Sequence, residues 1–405
     1  MMVAAASRVR SDGSMVMSCE KKFLYFARPD HPNDAVYAEN VLEFCGEIGH
    51  PAREIIVNCK DTSHCDLENC IADAAVFVSP NYNLDHSCIG DRRFLDLAQA
   101  AGVPVIHWML DHPSARWPQF ECANAENSRF VFLSCDAEAY FKKFIMPGCR
   151  SGRTIGVGPN HRSRASGLSR DPFLAREIPA LIPLNLRRLA GTCEEIAAQI
   201  EALPSHLRRL VAESIELNFF DLESPIESQV LSHGAASELL DNRVMLHKCV
   251  MLIEDAVQIK RRLRVFEVAR NYPVLMQSDI ASHHFSVTGP ATLEENVSMA
   301  ETNSRMQRSR AVVSVVHSND EVHDRTLNGI NAGSVNIIED NRINRQLFRH
   351  GENALLFRYD DDSLKEALDL ACFDPSSAFE IAQGGFALRD DPYFRFGGFG
   401  HLVTL

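Results

Sequence analysis

Between His323 and Phe357 the chain reads HDRTLNGINAGSVNIIEDNRINRQLFRHGENALLF, and its first residues are suited to holding an anion. Arg325 offers a permanent charge in a planar fork that matches phosphate oxygens. Asp324 is a good N-cap for a short helix, Gly333 is a good residue to close it, and Ser334 to Ile338 then reads as a buried strand. The helix follows an apolar run, Ala311 to Val316, and the polar loop HSNDEVH. Backbone N–H groups at a helix start, beside the carboxyl end of a strand, attract negative charge. The pattern therefore suits the amides of Arg325 and Thr326 and the Arg325 side chain to a phosphate, the structural alternative being a solvated loop and an ordinary helix cap. Gln277, His317, Ser318, Asn319, Asp320, Glu321, His323 and Asn328 supply the remaining polar contacts.

A second constellation lies in WMLDHPSARW, where Asp111 and His112 follow another apolar run. A carboxylate beside an imidazole at a strand end is a general-base pair for an acceptor hydroxyl. The structural alternative is that Asp111 caps a helix begun by Pro113 while His112 only packs. Arg28, Asp30 and His31 after the first strand, and SPNYN after the third, occupy equivalent places. Cys59, His64, Cys65 and Cys70 lack the paired spacing of a zinc site, so no metal is expected there. Gly351 reads as a structural turn. No nucleophile elbow, phosphate-binding Walker loop or Gly-x-Gly-x-x-Gly run is found.

The elements that must carry these groups alternate. FLYF at 23–26, EIIVN at 54–58, AAVFV at 74–78, VPVIHW at 103–108 and RFVFL at 129–133 read as buried parallel strands. Between them Tyr37, Val41, Phe44 and Ile48 share a helix face that stops at Gly49, and Phe94, Leu95, Ala98 and Ala101 share one that stops at Gly102. Residues 171–270 are apolar at helical spacing and read as a helical insertion or bridging subdomain. Strand signals return at PVLMQ (273–277) and HFSV (284–287). Thr292 with Glu295, and Ser363 with Glu366, read as capping boxes. The expected architecture is α/β, with a disordered start (1–20), a Rossmann-like domain (21–160), the helical layer (171–270), a second Rossmann-like domain (271–375) and a C-terminal tail (376–405).

Composition narrows the partners. With 405 residues and 45% apolar content the chain can bury two cores. A formal charge of −13 argues against nucleic acid or anionic lipid as the main partner, although Lys260 to Arg264 and Arg162 to Arg170 are local basic clusters. No apolar run is long enough for a transmembrane segment, and the N-terminus lacks a signal-type apolar core, so a cytoplasmic protein is expected. Twelve scattered cysteines suit reduced thiols, without disulfides.

The order strand, polar loop, TLNGINAG, strand, FRHGENALLF resembles the nucleotide-binding half of GT-B glycosyltransferases, particularly the spore-maturation type. The resemblance covers roughly residues 271–370. It implies two Rossmann-like domains about a cleft, a nucleotide-sugar donor held by the second domain, and an unidentified acceptor (glycan, protein or small molecule) held by the first. It also implies retention at the transferred carbon and no metal or other cofactor. The family usually carries Glu, bonding the donor ribose, where this chain has Asn328, and often an acid at the position of Asp320. The departure at Asn328 motivates the alternative of a catalytically degenerate sugar-, nucleotide- or protein-binding module.

Overall fold

The computed structural model describes residues 23–27, 34–47, 49, 52–56, 76–80, 88–89, 92–117, 120, 126–154, 167–232, 236–279, 287–316 and 321–395. The first domain contains β1 (Phe23–Ala27), β2 (Ala52–Ile56), β3 (Val76–Pro80), the short antiparallel pair β4 (Cys88–Ile89) and β5 (Arg92–Arg93), β6 (Val105–Met109), β7 (Ser128–Phe132) and β8 (Arg150–Arg153). Six of these form a parallel sheet in the order β2-β1-β3-β6-β7-β8. Every residue of β6 and β7 is buried, as expected of strands covered on both faces. The helices Asp34–Glu47 and Phe94–Ala100 bury Tyr37, Val41 and Phe44, and Leu95 and Ala98, and end before Gly49 and Gly102, which take φ of 76° and 68°.

The second domain is built from β9 (Ile178–Leu184), β10 (Leu275–Ser278), β11 (Thr292–Glu295), β12 (Ser309–Ser314), β13 (Val335–Glu339) and β14 (Leu355–Phe357). Its sheet is again parallel, in the order β11-β10-β9-β12-β13-β14. The chain runs from β9 outward to β10 and β11, then returns to β12 on the other side of β9. The strand order thus reverses between β9 and β12, and a crevice opens at their carboxyl ends.

Three readings change. Residues 171–270 were expected to form a helical insertion or bridging subdomain poor in strands, and β9 lies among them as the strand about which the second sheet is organised. Its sequence, IPALIPL, carries two prolines that obscure a strand buried from Ala180 to Leu184, and the helices Cys193–Glu201 to Arg243–Ala269 follow it. Thr292 and Glu295 belong to β11, and the helix after them is capped by Ser298, whose side chain accepts from Glu301 N–H. Helix Asp361–Phe373 is capped by Asp360, with Ser363 N–H as the donor, so Ser363 is inside the first turn. Residues 284–286 of the HFSV segment, the first 22 residues and residues 396–405 lie outside those described.

The helix Arg243–Ala269 crosses two cores. Leu246, Val250 and Ile253 pack in an apolar cluster with Tyr140 and Phe144 of the first domain. Val265, Phe266 and Ala269 pack with β9, β12 and β13 residues of the second domain. Other contacts also span the domains: Arg342 Nη2 lies 3.3 Å from Asp136 Oδ1, and Arg395 pairs with Glu43 and Glu47 of the first domain's leading helix. Among the described residues no helix is long and apolar enough to cross a membrane.

Candidate functional site

Three arginines come together at the carboxyl end of β9, where the strand order of the second sheet reverses. Arg325 lies in the first turn of the helix Asp324–Ala332 and donates from Nη1 to Pro183 O at the end of β9, 3.1 Å away. Arg188 lies in the loop after β9, its Nε 3.3 Å from Asp255 Oδ1. Arg262 comes from the helix Arg243–Ala269, is 1% exposed, and donates from Nη1 to Asn185 O. Its Nε and Nη2 are buried without a hydrogen-bond partner. Burial, with the charges of Arg188 and Arg325 nearby, brings its pKa down to about 9. Asp279, after β10, shapes the same loop by accepting from Leu186 N–H at 2.6 Å and Arg187 N–H at 3.1 Å. Burial holds the Arg325 guanidinium below its usual range, with Asp324 and Asp279 opposing that fall.

The helix start differs from expectation. Its N-cap is His323, not Asp324: His323 Nδ1 accepts from Arg325 N–H at 3.1 Å, and Asp324 Oδ1 accepts from the same group at 2.8 Å. Thr326 N–H bonds to His323 O. The two amides assigned to a phosphate are therefore satisfied within the helix start, because His323 and Asp324 both carry acceptors that reach back. Asp324 is held at about 2: burial raises it, but His323, Arg325 and the amide outweigh that effect. Any anion here must be met by guanidinium groups instead.

Asp111 and His112 stand where the domains meet. With Met109, Leu110, Leu133, Ser134, Ala137, Glu254 and Glu321 they line a cavity of about 10 Å³, the lower bound for one water. Each side chain has a partner of its own. Asp111 is bonded by Arg116 at 2.9 Å, and His112 caps the short helix Pro113–Arg116, its Nδ1 accepting from Ser114 N–H at 3.3 Å. The cap is thus the imidazole, and the carboxylate has an arginine partner. His112 Nδ1 lies 3.7 Å from Glu254 Oε2, and its ring centroid 4.8 Å from that of Tyr140. Burial, with His247 nearby, holds His112 down at about 3, so the imidazole is neutral, while burial and then Asp255 push the Glu254 carboxyl up.

Of the anticipated residues the structure gathers Arg325, His323, Thr326 and Asn328 on one helix start, and places Glu321 beside Asp111 and His112. Gln277 is buried in β10, its Nε2 without a hydrogen bond. His317, Ser318, Asn319 and Asp320 lie outside the described residues, as do Arg28, Asp30, His31, Cys59, His64, Cys65, Cys70 and the SPNYN segment beyond Pro80. Among the described residues no group of side chains is arranged to hold a metal. Sequence reasoning missed Arg188, Asp279, Glu254 and Arg262. A signal existed: Glu254, Gln258 and Arg262 are spaced four apart, all buried, on a stripe that continues into Val265, Phe266 and Ala269.

Residues 261–390 match the family model described as glycosyl transferase-like. No curated protein matches the sequence. Among solved structures, a DNA-modifying β-glucosyltransferase studied with and without uridine diphosphoglucose aligns over 94% of this chain and 98% of its own, at 6% identity and a TM-score of 0.51. Sucrose-phosphate synthase of Thermosynechococcus elongatus aligns over 95% and 98%, at 9% identity and a TM-score of 0.48. Anabaena HepE with UDP and glucose aligns over 95% and 98%, at 9% identity and a TM-score of 0.44. The fold is that of the GT-B enzymes, two Rossmann-like domains about a cleft.

Proposed function

We propose that this chain, a glycosyltransferase of the GT-B type by its fold and by the family of its second domain, moves a sugar from a nucleotide-sugar donor to an acceptor hydroxyl, with retention and without a metal. The observation that carries the donor side is Arg262. A buried guanidinium with two unbonded nitrogens, beside two further arginines, is costly to the free protein. A diphosphate in the crevice would supply the missing acceptors and the missing negative charge. The fold neighbour that modifies DNA takes uridine diphosphoglucose as substrate, in keeping with such a donor.

In this reading the acceptor oxygen bonds to the anomeric carbon as the bond from that carbon to the phosphate oxygen breaks. Charge develops on the departing diphosphate, where Arg262, Arg325 and Arg188 stabilise it. The acceptor proton passes to the departing phosphate oxygen on the same face, so no protein nucleophile is needed. The acceptor enters beside the small cavity between the domains, with Asp111 and His112 as the groups that orient and polarise its hydroxyl.

A thermal-shift series with UDP, GDP, their sugar conjugates and inorganic phosphate tests the reading. A ligand that binds only the folded state raises the midpoint by mass action, so one nucleotide series should raise it and phosphate should not at equal concentration. A flat response to every nucleotide refutes the donor assignment.

A further inference from the structure

We propose that Glu339 is a positioning residue for the donor crevice, an assignment that rests on the donor reading above. Glu339 ends β13 and is fully buried. Its two carboxylate oxygens accept from Val316 N–H at 3.1 and 3.0 Å, and Oε1 also accepts from Tyr359 O–H at 2.5 Å. Val316 is the second residue past β12 and the last before the span that leads to Glu321 and the helix start. The far end of that span is held from the same place: Asn341 Nδ2 donates to Glu321 O at 3.3 Å. Two side chains at the carboxyl end of β13 thus fix both ends of the segment that delivers His323 and Arg325 to the crevice.

Glu339 is itself held from behind. Tyr359 is 1% exposed, and the Arg261 guanidinium sits 5.2 Å from its ring centroid. Arg261 in turn donates to Asn218 O at 2.6 Å and Asp221 O at 3.0 Å, at the end of helix Ser205–Phe220. A buried carboxylate is retained in a core only where its bonds are filled, and here they are filled by the backbone whose position matters to the site. Burial raises the Glu339 carboxyl, while Arg261, Tyr359 and the Val316 N–H oppose that rise.

The test uses the full chain with Glu339→Gln and Tyr359→Phe. The amide of Glu339→Gln keeps the shape but leaves one oxygen to serve both Val316 N–H and Tyr359 O–H and sets a donor where the second carboxylate oxygen faced Val316 N–H, whereas Tyr359→Phe leaves both Val316 contacts in place. Amide hydrogen exchange is followed for peptides covering 315–326 and, as control, 361–373. UDP affinity is measured by calorimetry well below the unfolding midpoint. Exchange in 315–326 should rise about tenfold in Glu339→Gln with the control unmoved, and the UDP dissociation constant should rise about five- to tenfold, the scale of one hydrogen bond. Tyr359→Phe should move both less. Unchanged exchange, or unchanged UDP affinity in folded Glu339→Gln, overturns the proposal. A wild-type chain that binds no nucleotide overturns the donor reading and with it the link to the crevice, while the exchange result still decides whether Glu339 holds the segment.

Discussion

Replacing Arg262 with Met should make the protein more stable and a poorer donor binder at once. The thioether replaces the stem of Arg262 as far as its Nε, so the apolar part of the side chain is kept while the guanidinium is removed. The change removes two buried nitrogens that have no hydrogen bond, each costing about 1–3 kcal/mol, and orphans one carbonyl, Asn185 O, at a similar cost. The balance favours the variant by ~2 kcal/mol, within the range seen when buried ionic groups give way to apolar ones. For a unit of roughly 150–250 residues that is a midpoint rise of about 4–8 °C. Donor binding moves the other way. Loss of one charge-assisted bond to a diphosphate costs about 1.5–3 kcal/mol, or roughly 10- to 150-fold in UDP affinity. Calorimetric melts without ligand and UDP titration of the same preparations check both. A lower midpoint with unchanged UDP affinity would show that Arg262 is structural and would refute the reasoning.

Arg325→Ala should weaken UDP by about 1.5–3 kcal/mol through the lost phosphate contact, read by titration, with a smaller stability loss from the Pro183 O bond. His112→Asn and His112→Ala separate capping from chemistry. Asn can still accept from Ser114 N–H, so only Ala should lose about 1 kcal/mol of stability. Glycosyl transfer should fall in both, and full transfer by His112→Asn would remove the imidazole from the mechanism. Glu227, raised by burial from 4.5 to about 7, sets a pH dependence. Its folded pKa lies above its unfolded one, so its stabilising contribution is complete below about pH 4.5 and is lost as the pH rises to 7. Glu227→Gln should therefore match wild type at pH 4 and gain on the order of 3 kcal/mol relative to it above pH 7, seen in denaturant melts at both values. Equal gains at both would contradict the assignment.

The alternation of short apolar runs with helical stripes made two parallel sheets readable, and the runs at Ala311 to Val316 and Ser334 to Ile338 fall within a residue or two of β12 and β13. What escaped was set by tertiary context. Ile178 to Leu184 was hidden because Pro179 and Pro183 weaken a strand signal that the surrounding sheet overrides. Lys260 to Arg264 reads as a local basic cluster, and Arg261 and Arg262 are both 1% exposed, since only the packing of the helix decides which side meets a core. At the candidate site, Arg325 was legible from its place after a loop, but the use of the local amides by His323 and Asp324 was not, because capping geometry depends on rotamers rather than residue types.

The helix Arg243–Ala269, 27 residues and roughly 40 Å long, is shared between the layer against the first domain and the core of the second. Melting either end would strip apolar partners from the other, so the helical layer and the second sheet form one cooperative folding unit. Such a rod also restricts mechanics. The first domain, gripping one end through Tyr140 and Phe144, can swing about the rod more readily than it can slide along it. Any relative motion of the two domains would then take this helix as its axle, which carries Glu254 at the cavity beside Asp111 and His112, and Arg262 near Arg188 and Arg325.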